Sequence, residues 1–189
     1  MNYTQLFKRI SLLISDPEKA WKEIYKENDY RNVQGNFVFP LIALCGISTF
    51  IGCLIGNTEG PSVFQSALMK VGGLFISLFA GFFLVSYIVQ KLNQRYLHRE
   101  ENAVQAQCYV GYSMVILFVL LFVSGFLSIS IFFWILMFYT VYVTYQGAKV
   151  LVRVEDSKIN LYAIVTALAI MLCPKIILFI FNELSVILN

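Results

Sequence analysis

"FVFPLIALCGISTFIGCLI", residues 37–55, contains no charged side chain. At 1.5 Å per helical residue it is long enough to cross most of the roughly 30 Å of bilayer hydrocarbon. Four more apolar runs follow, at residues 71–89, 108–127, 129–151 and 161–180, with Lys149 and Lys175 the charged residues among them. Backbone amides in hydrocarbon have no water to bond, so each such run must satisfy them internally as a helix. The reading is an all-α integral membrane protein with five transmembrane helices over residues 37–189, preceded by a polar segment at 1–36. Composition agrees: 59% of the 189 residues are hydrophobic and only 13% charged, against the roughly half-apolar, quarter-charged mix of water-soluble domains.

The distribution of charge predicts orientation. Lys8, Arg9, Lys19, Lys22, Lys26 and Arg31 precede the first run, Lys91, Arg95 and Arg99 follow the second, and Lys149, Arg153 and Lys158 surround the end of the fourth. Only Lys70 and Lys175 fall on the other side. Basic residues stay cytoplasmic, so the N-terminus is expected inside and the C-terminus outside. "SGFLSIS", residues 124–130, makes the third and fourth spans a tight hairpin. No compact apolar core with a small-residue cleavage site precedes the first span, so no cleaved signal is expected. A net charge of +3, scattered over the chain, argues against nucleic acid as a partner.

The polar leader has its own pattern. In "SDPEKAWKEIYKEN", residues 15–28, Ser15 or Asp16 can cap a helix, Pro17 suits its first turn, and Ser15 with Glu18 has the spacing of a capping box. Ala20, Trp21, Ile24 and Tyr25 share one face of that helix. Upstream, Leu6, Phe7, Ile10, Leu13 and Ile14 form a second apolar stripe beside Lys8 and Arg9. Both pieces read as amphipathic helices at the cytoplasmic interface. They serve either as an anchor or, with Trp21 as the candidate contact, as a docking element for a protein partner.

Small residues predict how the spans pack, because helices in lipid approach closely where side chains are small. Ser48, Gly52 and Gly56 recur at steps of four in the first span, and Gly73, Ser77 and Gly81 do so in the second. The expectation is a close crossing of these two spans through those faces, with a homodimer contact through one of them as the alternative.

Two features carry polar groups into the spans. "FYTVYVTYQGAKV", residues 138–150, sets Tyr142, Gln146 and Lys149 on one helical face with Tyr139 a turn earlier. Tyr109, Tyr112 and Ser113 of the third span are placed to meet it. The face is either an aromatic belt with Lys149 reaching the inner interface, or a polar cavity that takes a ligand or partner. In "IMLCPKIILFIF", residues 170–181, Pro174 should kink the fifth span. Lys175 lies about 21 Å along that span from Leu161. It is an outer-interface anchor, an inward hydrogen-bond donor, or an ion or ligand site.

The architecture and a few soft motifs resemble the Yip family, the Ypt/Rab-interacting protein domain, in its short bacterial form. The carriers are "DPEKAWKEI" (16–24) with Pro17 and Trp21, Pro40 entering the first span, and Gly111, Tyr112 and Ser113 in "VGYSMVILFVLL" (110–121). The chain lacks the extended cytoplasmic region and the Asp-Leu-Tyr-Gly-Pro motif of longer members, and Ile116 stands where proline often follows. These departures weaken a transfer of prenylated small-GTPase binding. The resemblance implies a multi-pass membrane protein, in the plasma membrane if the source is bacterial, acting as a scaffold or a membrane-organising factor of the trafficking type.

Enzymatic chemistry has little to work with. The spans hold no carboxylate pair and no histidine, and His98, the single histidine, lies in a polar linker. The four cysteines, Cys45, Cys53, Cys108 and Cys173, have neither zinc nor redox spacing and read as small packing residues. No cofactor or metal is expected. The functional expectation is therefore a non-catalytic scaffold that binds protein or lipid. A small-solute or ion transporter or channel, built as an oligomer and using the fourth-span ladder and Lys175, is the second hypothesis.

Overall fold

Sequences that exclude water from the backbone have helix as their only open-ended solution, and the described part of the chain is helical almost throughout. The computed structural model describes residues 3–56, 62–98, 100, 102–127 and 130–187. Arg99 and Ile129, used above for charge and span boundaries, lie outside them. In chain order the helices are α1 (Tyr3–Ser15), α2 (Pro17–Glu27), α3 (Phe39–Gly56), α4 (Ser62–Tyr96), α5 (Ala103–Ser113), α6 (Val115–Ser124), α7 (Ser130–Met137), α8 (Tyr139–Gly147) and α9 (Asp156–Ile187). Two π-helical turns, Gln34–Val38 and Ala148–Val152, lead into α3 and out of α8. Four segments are long and apolar enough to cross a membrane: Gln34–Gly56, Val63–Tyr96, Phe133–Val152 and Asp156–Ser185. The pair α5–α6, bent by 40°, makes a fifth when taken as one span.

The helices overrun their apolar runs. With 35 and 32 residues, α4 and α9 extend about 52 and 48 Å, well beyond the hydrocarbon thickness of roughly 30 Å. They lie antiparallel: Gly73 faces Phe181, Gly81 faces Pro174, and Asn93 is bonded to Tyr162. By contrast, α3 and the α5–α6 span run parallel, with partners at an almost constant offset. Gln34 meets Gln107, Cys45 Sγ donates to the Phe118 carbonyl, and Ser48 Oγ to that of Phe122.

The small-residue stripes do not meet each other as expected. Gly52 of the α3 stripe lies against the Gly125 backbone and Ser48 bonds into α6, whereas a β-carbon at Gly56 would meet nothing within 4 Å among the described residues. The α4 stripe turns to α9: a β-carbon at Gly73 would come within 2.8 Å of Phe181, and one at Gly81 within 2.8 Å of Pro174. Ser77, between them, is buried and bonds back to Leu74 O. The physical reason lies in volume matching. Where α3 meets α4, one side is small and the other large, with Phe75 filling the space over Gly46 and Phe39 packing on Phe79. The groove of the α4 stripe is instead occupied by the pyrrolidine ring of Pro174.

The leader forms a helical hairpin that stands against the bundle. Asp16, not Ser15, caps α2 by accepting from the Lys19 amide at 3.0 Å. Ser15 bonds back to Ser11 O, so the capping box does not form. Instead Glu18 pairs with Lys22, whose hydrogen bond and charge hold its carboxyl below the usual carboxylate range, with Lys149 adding to the effect. The hairpin turn sits beside the break between α7 and α8, where Tyr139 Oη donates to Ile14 O at 2.8 Å. From there α2 follows α8 in the same direction to Arg153, whose guanidinium covers the Tyr25 ring at 4.7 Å.

Candidate functional site

Trp21 decides how the hairpin sits. It is fully buried, and its indole Nε1 donates to the Val143 carbonyl of α8 at 3.0 Å. Its six-membered ring lies over Gly147, where a β-carbon would come within 2.6 Å. Tyr109 and Tyr112 of α5 flank it, with ring centroids at 5.8 and 6.0 Å. A buried indole needs an acceptor for its N–H, and α8 supplies both the acceptor and the glycine gap. Trp21, a candidate partner contact from the sequence, is therefore seated inside the protein against α5 and α8.

Seating Trp21 leaves a cavity on the other side of the hairpin, of about 670 Å³. Its walls are Lys8, Arg9, Glu23, Glu27, Asp29, Asn32 and Asn36, and its apolar floor includes Leu6, Leu12, Phe37 and Tyr112. Arg9 clasps the two helices together. One guanidinium nitrogen bonds Glu27, and Nη1 lies 3.6 Å from Glu23. Tyr112 closes the floor, its ring 4.6 Å from that of Phe37. Beside the cavity Tyr30 is partly withdrawn from water, and that burial raises its phenol above its ordinary value.

Beneath the hairpin the bundle is tied by polar side chains. Tyr109 Oη donates to Thr144 O at 2.9 Å, and Tyr162 Oη to Asn93 Oδ1 at 2.7 Å. Thr144 Oγ1 reaches Ala163 O on α9, and Gln105 Nε2 reaches Leu151 O. Tyr109, Thr144, Tyr162 and Asn93 are buried and Gln105 partly so, and their bonds hold α4, α5, α8 and α9 together.

The fourth-span ladder divides by burial. Gln146 is buried, while Tyr142 and Lys149 are exposed. Residues 142 and 146 stand one turn apart but about 40° around α8, which is enough to bring Gln146 under its neighbours while Tyr142 stays exposed. Of the candidate ligand residues, Tyr112 borders the cavity described here, and Trp21, Tyr142, Gln146, Lys149 and Lys175 are not among its lining. Lys175 turns to α7, where Nζ stands 3.2 Å above the Trp134 ring and 5.5 Å from that of Phe133.

The sequence profile of one family, described as the Yip1 domain, matches residues 10–177. The chain belongs to the Yip1 domain family. The match runs from α1 to within α9 and so takes in the seated Trp21, the cavity floor at Tyr112 and Pro174 inside α9. No curated protein sequence and no solved structure matches the chain. As a Yip1 domain it is a multi-pass membrane protein. Among the described residues no three His, Cys, Asp or Glu side chains gather as a metal site would require.

Residues that the sequence reading missed are those of the cavity wall: Arg9, Glu23, Glu27, Asp29, Asn32 and Asn36. They come from two helices and a loop whose mutual placement depends on where Trp21 lands. The one available signal was the opposite charge of Arg9 and Glu23 on adjacent helices, which looks like any solvated pair.

Proposed function

We propose that this Yip1-domain protein is a non-catalytic membrane scaffold that takes a polar segment of a partner protein into the cavity under the α1–α2 hairpin, on the cytoplasmic side. The observation that carries this reading is the cavity itself. It has walls of both charge signs, three chain segments contributing, and an aromatic floor at Tyr112. Mixed charge with backbone-like amide groups at Asn32 and Asn36 suits a peptide chain. The apolar floor suits one buried side chain. Orientation belongs to the proposal: the basic groups Arg153 and Lys158 gather at the hairpin end, over Tyr25 and Tyr96, as a cytoplasmic face requires.

The test uses the intact protein purified from native membranes in mild detergent. Lys8→Glu and Asp29→Lys alter the wall without touching Trp21. The expected result is that a protein retained by the wild type is lost from both variants while the melting midpoint is unchanged. An identical set of retained proteins in all three would overturn the reading. Orientation has its own check in Cys53, which is half-exposed, whereas Cys45, Cys108 and Cys173 are buried. A membrane-impermeant maleimide should label Cys53 from outside intact cells and not from the cytoplasmic side of inverted vesicles.

The second reading, a solute or ion transporter, is favoured by one observation, the coincidence of helix breaks at Met114 and Phe138, since transporter sites lie at broken helices. Solute flux into proteoliposomes that depends on Lys175 would select it over the scaffold.

A further inference from the structure

Two hydroxyls in the core meet no protein partner. Ser113 Oγ and Thr140 Oγ1 are buried on residues with no exposed surface, and neither makes a hydrogen bond. Leaving a buried hydroxyl unpaired costs about 1–3 kcal/mol. Helical Ser and Thr ordinarily avoid this by donating to the carbonyl one turn back, as Ser86, Thr144 and Thr166 do here. Ser113 and Thr140 do not.

The register of α5 and α8 puts the two at one level. Tyr109 on α5 bonds to Thr144 O on α8, and Gln105 to Leu151 O, so the helices run antiparallel. Ser113 lies one turn beyond Tyr109, and Thr140 one turn beyond Thr144 in the same direction. At that level both helices are broken: α5 ends at Ser113 before the 40° bend into α6, and α7 gives way to α8 at Phe138. The third wall is α9. Thr144 Oγ1 bonds Ala163 O, and one turn on from Ala163 is the buried Ala167, which fills little space. Gln146 Oε1, also without a partner, lies about 9 Å farther along α8 and belongs to a different level.

We propose that a water molecule binds between Ser113 Oγ and Thr140 Oγ1 and ties the α5–α6 bend to the α7–α8 break. The ligand must be small and must both donate and accept. Buried waters serve this role between polar groups that have no other partner.

The direct test is X-ray hydroxyl-radical footprinting of the intact protein in lipid nanodiscs, in water enriched in the heavy oxygen isotope. Radicals form where water sits and oxidise the nearest methionine. Met114 is adjacent to Ser113 and has no exposed surface, whereas Met171 is 8% exposed in the same core. The expected result is severalfold faster isotope-labelled oxidation at Met114 than at Met171. A rate at Met114 equal to or below that at Met171 would overturn the proposal. The second arm is Ser113→Ala and Thr140→Val, singly and together. Each single change should lower the melting midpoint by roughly 2–4 °C, with a double-variant loss smaller than the sum. Removing unpaired hydroxyls from a dry site would leave the midpoints unchanged or raised, which counts against the water. Should the variants fail to fold, or the arms disagree, the wild-type footprint decides.

Discussion

The two ends of this bundle are held by different physics. At the hairpin end, helices are tied by side-chain hydrogen bonds to carbonyls: Trp21 to Val143, Tyr109 to Thr144, Tyr139 to Ile14 and Gln105 to Leu151. At the far end steric contacts predominate, with Gly52 against Gly125, Gly73 against Phe181 and Gly81 against Pro174, beside the bond from Ser48 to the Phe122 carbonyl. The difference follows from what each end must exclude. Polar groups near a charged, water-facing cavity can be satisfied within the protein, whereas in hydrocarbon close backbone approach is the main source of cohesion. The hairpin end should therefore respond to loss of a hydrogen bond or a large ring, and the far end to gain of a single methyl.

The largest effect should come from Trp21→Ala, which removes a buried ring and the donor to Val143 together. Truncations of this kind cost about 3–5 kcal/mol. The midpoint of thermal unfolding in mild detergent should fall steeply, and protease should then cut between α2 and α3. Trp21→Phe keeps most of the ring and should recover more than half of the loss. If both variants melt like the wild type, the hairpin is not seated as described and the contrast between the ends fails.

Next in size is Gly52→Ala. Its new β-carbon would overlap the Gly125 carbonyl, a backbone atom that cannot rotate away. Overpacking of this kind costs about 1–3 kcal/mol. The same substitution in an exposed helix is favourable on propensity alone, so the sign of the midpoint shift separates contact from propensity.

A smaller effect is expected for Tyr162→Phe at the hairpin end. The buried Asn93 loses its donor while the ring contact with Tyr109, at 5.8 Å, remains. The expected loss is about 1 kcal/mol, and Asn93→Leu combined with Tyr162→Phe should recover part of it. A double variant no better than the single would mean that the bond is not a unit.

How much of this was legible in the sequence depended on whether the signal was local. Apolar length announced the helices, and Pro17 with Asp16 announced the start of α2, because those rules involve neighbours in the chain. The stripes at Ser48, Gly52 and Gly56 and at Gly73, Ser77 and Gly81 were visible as small-residue faces. Their partners were not, since any smooth face fits any other until large residues such as Phe75 and Phe181 are placed. The ladder of Tyr142, Gln146 and Lys149 divides because residues a turn apart still differ by about 40° around a helix, and only packing decides which of them is covered: Gln146 is buried and Tyr142 and Lys149 are exposed. Lys175 was recognisable as a charge in an apolar run, but Trp134, from another helix, determines where its ammonium goes. The cavity was illegible for the same reason, as its walls exist only once Trp21 has found Gly147.

The smallest expected effect tests the far end most sharply. Gly52 and Gly56 form a GxxxG pair that reads as one surface, yet only Gly52 touches a neighbour, and a β-carbon at Gly56 would meet nothing within 4 Å. Gly56→Ala should therefore leave the melting midpoint within about 0.5 kcal/mol of wild type, as changes away from packed features do. A loss at Gly56 equal to that at Gly52 would require a contact that the described residues do not make. A second copy packed on this face would provide one. Cross-linking through Cys53, one residue beyond Gly52, would then be enriched in the wild type and reduced in Gly56→Ala, and the far end would have to be described as an interface between chains instead of a seam within one.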